Sequence, residues 1–252
     1  MSCRRRQPYD TVRGEQPVEV QVRHRDDIGR EHLVAARALR GLPVEEWPVL
    51  HEQRAYKGRK SKVRQWWSST TKKDISCRSA EHACAAMFLD RDPRIAYLAA
   101  PCLQLEWQDG SDSGVVHPAF MARTVDKQQL LYLYSPSGTE PDAHEVTAAR
   151  EAASEAGWQV DVALAPGGQL RRNVYLVSQF RHDECANDRA RSLLLEAFAR
   201  PLSVAEAADA VDLLPEHGRA YSWHLLWTGE LTTHWEQPLT PDSLVWAAGV
   251  AA

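Results

Sequence analysis

Ser79-Ala-Glu-His-Ala-Cys-Ala-Ala-Met-Phe-Leu-Asp-Arg-Asp-Pro93 is the stretch on which the fold reading turns. Ser79 has the side chain of a helix N-cap. Ala80, Ala83, Cys84, Met87 and Phe88 then recur at three- and four-residue spacing, which predicts one apolar helix face as far as about Asp90. Asp92-Pro93 ends it, because proline restricts the residue before it to extended backbone. Strand-like segments come next at residues 95–98, 103–107, 115–123 and 130–134, with 108–114 as a hairpin loop. A helix at 143–156 and a strand at 158–164 read as a crossover continuing the same sheet. The expected class is α/β: a mixed sheet with flanking helices.

Outward from this centre the pattern weakens. Val18-Glu-Val-Gln-Val22 is a plausible strand, and residues 30–40 could form a short helix closed by Gly41. Pro43 and Pro48 interrupt regular structure beyond Gly41, so residues 1–52 read as a polar N-terminal arm with little core of its own. Residues 53–165 form the main domain, and Pro166-Gly167-Gly168 marks its boundary. Residues 169–252 read as a helical C-terminal module. Helices are expected at 170–179, 187–198, from Ser203 (capping box with Glu206) to about 210, and at 219–227, with a strand after Gly229. Short helices leading into strands suggest a winged-helix-like unit. Trp223, Trp227, Trp235 and Trp246 belong to its core, or stack on nucleic acid.

The hydrophobic share is 44% and the charged share 25%, as in an ordinary globular protein. No apolar run reaches the roughly 20 residues that span a bilayer, and no secretory signal is visible, so no membrane partner and a cytoplasmic site are expected. The cysteines, Cys3, Cys77, Cys84, Cys102 and Cys185, are odd in number and scattered, without a Cys-x-x-Cys pair. That excludes a disulfide framework and offers no structural zinc pattern. His82 and His117 with Cys77 or Cys84 match no standard zinc spacing, and Ser68, Ser69 and Ser79 lack the elbow and oriented acid of a hydrolase.

The formal net charge is −4, against indiscriminate coating of nucleic acid. Yet residues 53–73 hold Arg54, Lys57, Arg59, Lys60, Lys62, Arg64, Lys72 and Lys73 and no acid, with Trp66 and Trp67 among them. These are the candidate DNA-binding residues, since such a segment neutralises phosphates while its aromatics anchor or stack. A solvated basic strand pair with core tryptophans reads equally well.

Several blocks together resemble the TnsA-like endonuclease subunits of heteromeric transposases. They are Trp66-Trp67-Ser-Ser-Thr70-Thr71, the helix ending Leu89-Asp90-Arg91-Asp92-Pro93, Leu105-Glu-Trp-Gln-Asp-Gly110, and Val116-His117-Pro118-Ala119-Phe120-Met121-Ala122-Arg123. Arg172-Asn-Val-Tyr-Leu-Val-Ser-Gln-Phe-Arg181-His182 and Tyr221-Ser-Trp-His-Leu-Leu-Trp227-Thr-Gly-Glu-Leu231 continue the likeness, which spans about residues 60–247. The resemblance implies a restriction-endonuclease-like fold of the PD-(D/E)XK kind, DNA as substrate, and a TnsB-like transposase partner. It also implies Mg²⁺ held by a helix glutamate, an aspartate at a strand start and a Gln/Glu-x-Lys on the next strand. The metal would activate water and stabilise the developing charge on phosphorus.

This chain departs from that pattern at each ligand. The helix glutamate falls on His82, with Glu81 one position away and so rotated by about 100°. The aspartate falls on Ala119, and the Gln/Glu-x-Lys strand reads Leu131-Tyr-Leu133-Tyr-Ser-Pro136. The leading expectation is therefore a catalytically degenerate subunit that works in DNA binding or assembly. One alternative is an active endonuclease with relocated ligands, such as Glu81, Glu106 and Asp112. The other is a protein-interaction subunit without DNA contact.

Overall fold

The computed structural model describes residues 18–50, 62–135 and 139–249, a mixed α/β chain with several sheets and six helices. The chain opens with β1 (Glu19–Arg25) and β2 (Glu31–Ala35), an antiparallel hairpin. Here the expected helix at 30–40 is corrected: it is a strand leading into a single 3-10 turn, Ala36–Leu39. Residues 18–50 also carry core of their own. Val20, Val22, Ala36, Leu39 and Val44 are buried with Leu103, Leu105 and the alanines of a later helix.

A second hairpin joins β3 (Arg64–Ser68) to β4 (Lys73–Cys77), and α1 (Ala80–Arg91) comes after it. Ser79 caps α1 as expected, its Oγ accepting from His82 N–H at 3.1 Å. Then come β5 (Ile95–Ala99), β6 (Leu103–Asp109) and β7 (Asp112–Val116). The expected strand at 115–123 is two strands. β7 ends at Val116, His117-Pro118 interrupt the ladder, and β8 (Phe120–Thr124) belongs to another sheet. β9 (Gln129–Tyr134), α2 (Ala143–Ala156) and β10 (Gln159–Ala163) complete the crossover, with β9 and β10 parallel. Asp142 caps α2, and Gly157 ends it at φ 78°, a backbone that a side chain would strain.

Two four-stranded sheets result: β2-β1-β6-β7, all antiparallel, and the mixed β10-β9-β8-β5. α2 fills the space between them with Ala148, Ala149, Ala152, Ala153 and Ala156, all buried. Small side chains let a helix approach both sheets closely. α1 covers the opposite face of the mixed sheet through Cys84, Ala85, Ala86 and Met87.

Past residue 165 the chain is mostly helical: α3 (Gly168–Ser178), α4 (Asp188–Ala197), β11 (Leu202–Ser203), α5 (Val204–Ala210), α6 (Pro215–Thr228), β12 (Leu231–Thr233) and β13 (Leu244–Ala247). The expected Ser203–Glu206 capping box is present. β11, β13 and β12 form a small antiparallel sheet in that order. Val174, Val177, Leu194, Phe198, Trp223, Leu225, Leu226 and Trp227 share one core with α1 and the mixed sheet. Trp223, Trp227 and Trp246 are buried, and Trp235 is half-buried against that core. No helix among the described residues is long and apolar enough to cross a membrane.

Candidate functional site

The N-terminus of α1 lies over the start of β8 and the end of β9, and this is where His82 sits. Its ring stacks on Phe120 (centroids 4.4 Å apart, planes 9° apart) and meets Tyr134 edge-on at 5.2 Å. The ring is 1% exposed. Arg78 N–H donates to His82 Nδ1 at 3.2 Å, which places the imidazole proton on Nε2. That Nε2 is buried near the backbone of Ala119, without a well-formed hydrogen bond among the described residues. Burial holds the imidazole neutral, with its pKa pushed down to about 3.

A histidine with a depressed folded pKa stabilises the fold above pH 6.5 and loses that contribution as the pH falls toward 3. The unfolded chain takes up a proton in this window and the folded chain does not, at about 1.4 kcal/mol per pH unit. Urea denaturation at pH 7 and pH 5 should show the loss. His82→Phe, which keeps the stack, should reduce it by about 2 kcal/mol. An unchanged pH dependence in the variant would place the acid-sensitive group elsewhere.

Ala119 immediately precedes β8 and is fully buried, its N–H donating to Tyr132 C=O at 2.6 Å. Its side chain is a methyl group and offers no donor atom to a metal. Leu133 lies on the other side of the mixed sheet, buried with Met121, Leu131 and the α2 alanines. Alternation along β9 puts Leu131 and Leu133 toward α2 and Tyr132 and Tyr134 toward α1. Of the three positions, then, His82 and Ala119 come together and Leu133 does not.

Glu81 is exposed and receives Tyr134 Oη–H at 3.3 Å. Glu106 lies on the other sheet, where Arg23 Nε donates to it at 2.6 Å, and Asp112 is at the tip of the β6–β7 hairpin. Among the described residues no three of His, Cys, Asp and Glu are grouped to hold a metal. The residues at the head of the mixed sheet do not fit Mg²⁺, which wants several hard oxygens in octahedral array.

Four of the candidate DNA-binding residues, Arg54, Lys57, Arg59 and Lys60, lie outside the described residues. Lys62 and Arg64 are exposed at the start of β3. Lys72 is bonded to the Asp183 carboxylate and lies 5.5 Å from the Trp67 ring centroid. Lys73 donates to Tyr97 Oη at 3.0 Å. Trp66 is buried, whereas Trp67 stacks on His182 at 4.7 Å. The hairpin thus turns Trp66 toward α1 and leaves its basic residues at the rim.

Sequence reasoning did not find a densely bonded group among the described residues, the Asp90 carboxylate. It is 4% exposed and takes hydrogen bonds from Trp66 Nε1 (3.1 Å), Ser68 Oγ (2.6 Å), Ser69 N (2.9 Å), Ser69 Oγ (3.2 Å) and Thr70 N (3.0 Å). Trp227 Nε1 then donates to Ser69 Oγ at 3.0 Å, tying α6 to the same turn. One carboxylate at the end of α1 therefore holds the tip of the β3–β4 hairpin. A signal was present: an acid in the last turn of a helix opposes the macrodipole and needs donors from elsewhere.

No family model matches the chain, and no curated protein matches it.

Proposed function

We propose that this chain is a TnsA-like subunit of a heteromeric DNA transposase whose metal site is not built, acting in DNA binding and complex assembly beside a TnsB-like partner. The observation that carries the reading is an element order compatible with such a core, combined with a mismatch of chemistry. α1, β5, β8, β9, α2 and β10 succeed one another as helix, three antiparallel strands, crossover helix and parallel strand, the order a restriction-endonuclease-like core requires. The β6–β7 hairpin enters as an insertion whose strands pair with β1. Where the resemblance implies acids, the chain places a neutral buried imidazole and a methyl group.

The last module supports an assembly role. Its order of α4, β11, α5, α6, β12 and β13, with the sheet order β11-β13-β12, fits a winged-helix-like unit. In a DNA reader of that kind the second helix of the pair enters the major groove. Here α6 buries Ser222, Trp223, Leu225, Leu226 and Trp227, and it is most open to solvent in its first turns. Between residues 201 and 249 Arg219 stands alone against seven acidic residues, a charge that repels phosphate and suits a protein contact. DNA contact in this reading falls to the basic segment at and before β3.

Cleavage of supercoiled and linear DNA with Mg²⁺ or Mn²⁺, beside duplex binding by fluorescence anisotropy, tests both halves. The expected result is no cleavage, with binding that weakens steeply as salt rises and drops about tenfold when Lys62 and Arg64 are both changed to Glu. Cleavage lost on Glu81→Ala would overturn the silent site, and binding insensitive to salt would overturn the DNA half.

A further inference from the structure

The first hairpin sets two histidines against each other, because its register pairs His24 of β1 with His32 of β2 directly across the ladder. Their rings lie 5.3 Å apart with planes 23° apart, and the Trp47 ring lies 4.3 Å from that of His24. Trp47 follows the 3-10 turn Val44–Glu46, so three pieces of chain meet at one imidazole. His24 is 8% exposed, whereas His32 is exposed and Trp47 half-buried. His24 Nδ1 is sealed from solvent near the backbone of Arg25, without a well-formed hydrogen bond among the described residues.

The charged groups on the elements packed around His24 are engaged elsewhere. Glu31 of β2 accepts from the Arg25 guanidinium at 2.9 Å and lies 3.9 Å from that of Arg23. Glu45 and Glu46 of the 3-10 turn both bond Arg123. On β6 the residue opposite His24 is Leu103, which is apolar. Two groups act on the charge of His24: Asp26 favours it and His32 opposes it. Asp26, however, builds the β1–β2 turn. Its Oδ1 accepts from the N–H groups of Ile28 (3.1 Å) and Arg30 (2.8 Å), and its Oδ2 meets His32 Nε2 at 2.9 Å. A proton on His24 gains a counter-charge only by drawing Asp26 out of that turn. Burial, and after it the neighbouring His32, lower the His24 pKa below the usual 6.5.

We propose that His24 and His32 form an acid-released latch, which holds β2 and the Trp47 segment against β1 at neutral pH and frees them on acidification. The sign follows from linkage. An open hairpin takes up a proton on His24 as the pH falls below 6.5 and the closed hairpin does not, so closure is fully favoured above 6.5 and weakens below it. One proton per opening makes the change about tenfold per pH unit.

Backbone hydrogen exchange of the full chain between pH 7.5 and pH 5.5, corrected for the chemical exchange of an unfolded peptide at each pH, is the test. Opening of β2 should rise about tenfold per unit below pH 6.5, while the amides of β9 and α2 keep their protection. His24→Phe leaves a ring against His32 and Trp47 but takes up no proton, and in it the rise should vanish. His82→Phe should leave the rise intact, since His82 lies in the other sheet's core. Should His24→Phe fail to fold, the His24 ring resonances of the wild type decide. A ring that titrates only as β2 opens supports the latch, and one that titrates while β2 stays protected overturns it. Exchange of β2 without pH dependence, or a rise that persists in His24→Phe, overturns it as well. So does an equal rise in β9 and α2, which assigns the acid response to global unfolding.

Discussion

Asp90→Ala should destabilise the protein by about 4 kcal/mol, the largest loss expected from any single polar side chain here. The substitution removes one buried acceptor and strands Trp66 Nε1, Ser68 Oγ and the backbone N–H groups of Ser69 and Thr70. Water reaches these donors poorly, because Trp66 and Ser68 are 8% and 0% exposed. Asp90→Asn keeps one oxygen but turns an NH₂ group toward donors, so it should recover only part of the loss. Urea denaturation monitored by tryptophan fluorescence reads both variants. A loss below about 1 kcal/mol would mean that the hairpin tip relaxes into solvent and that Asp90 does not hold it.

Ala119→Asp should be nearly as damaging, and it should not create a nuclease. The resemblance puts a metal-binding aspartate at this place, yet the site is fully buried beside the His82–Phe120 stack. A carboxylate there would meet an aromatic face and a neutral imidazole. Burying such a charge costs several kcal/mol, about 3 or more here, and the group would stay protonated at neutral pH rather than bind a cation. Chemical denaturation at pH 7 with and without Mg²⁺ is the measurement. Mg²⁺-dependent stabilisation of the variant, or cleavage by it, would show that a cation can enter and that the closed stack is not the barrier.

The elements with strong local signals were legible in advance. α2 runs over 143–156 as the pattern placed it, and the Ser79 cap and the Ser203–Glu206 box are local hydrogen bonds that four residues of sequence encode. The readings that failed depended on distant partners. β2 is an edge strand whose residues are exposed or half-buried, so it carries no alternation and its charges looked helical. Val115–Arg123 looked like one strand because most of its side chains suit a sheet; Pro118, which cannot donate to a ladder, marked the break, but nothing local says that the chain changes sheets there. The site was legible in one respect. The absence of acids at His82 and Ala119 is a fact of composition, and the structure adds that the space they leave is filled with rings. That Leu133 faces α2, away from His82, was not legible, since its facing depends on the strand register that pairs Phe120 with Tyr132. Asp90 went unread because its donors lie some twenty residues upstream on a hairpin whose tip is mostly serine and threonine.

The hydrogen bond from Trp227 to Ser69 spans 158 residues of chain. During synthesis, the hairpin and α1 leave the ribosome well before α6 exists. At typical elongation rates that interval is on the order of 10 s. For that time the face of α1 that later meets α3 and α6 is uncovered, with Trp66 and its neighbours lacking their final cover. The first 165 residues are therefore a poor candidate for separate expression, and a nascent chain halted there should be a client for chaperones that shield apolar surface. The C-terminal module then acts as the closing step of folding, and its arrival decides when the molecule becomes resistant to proteases.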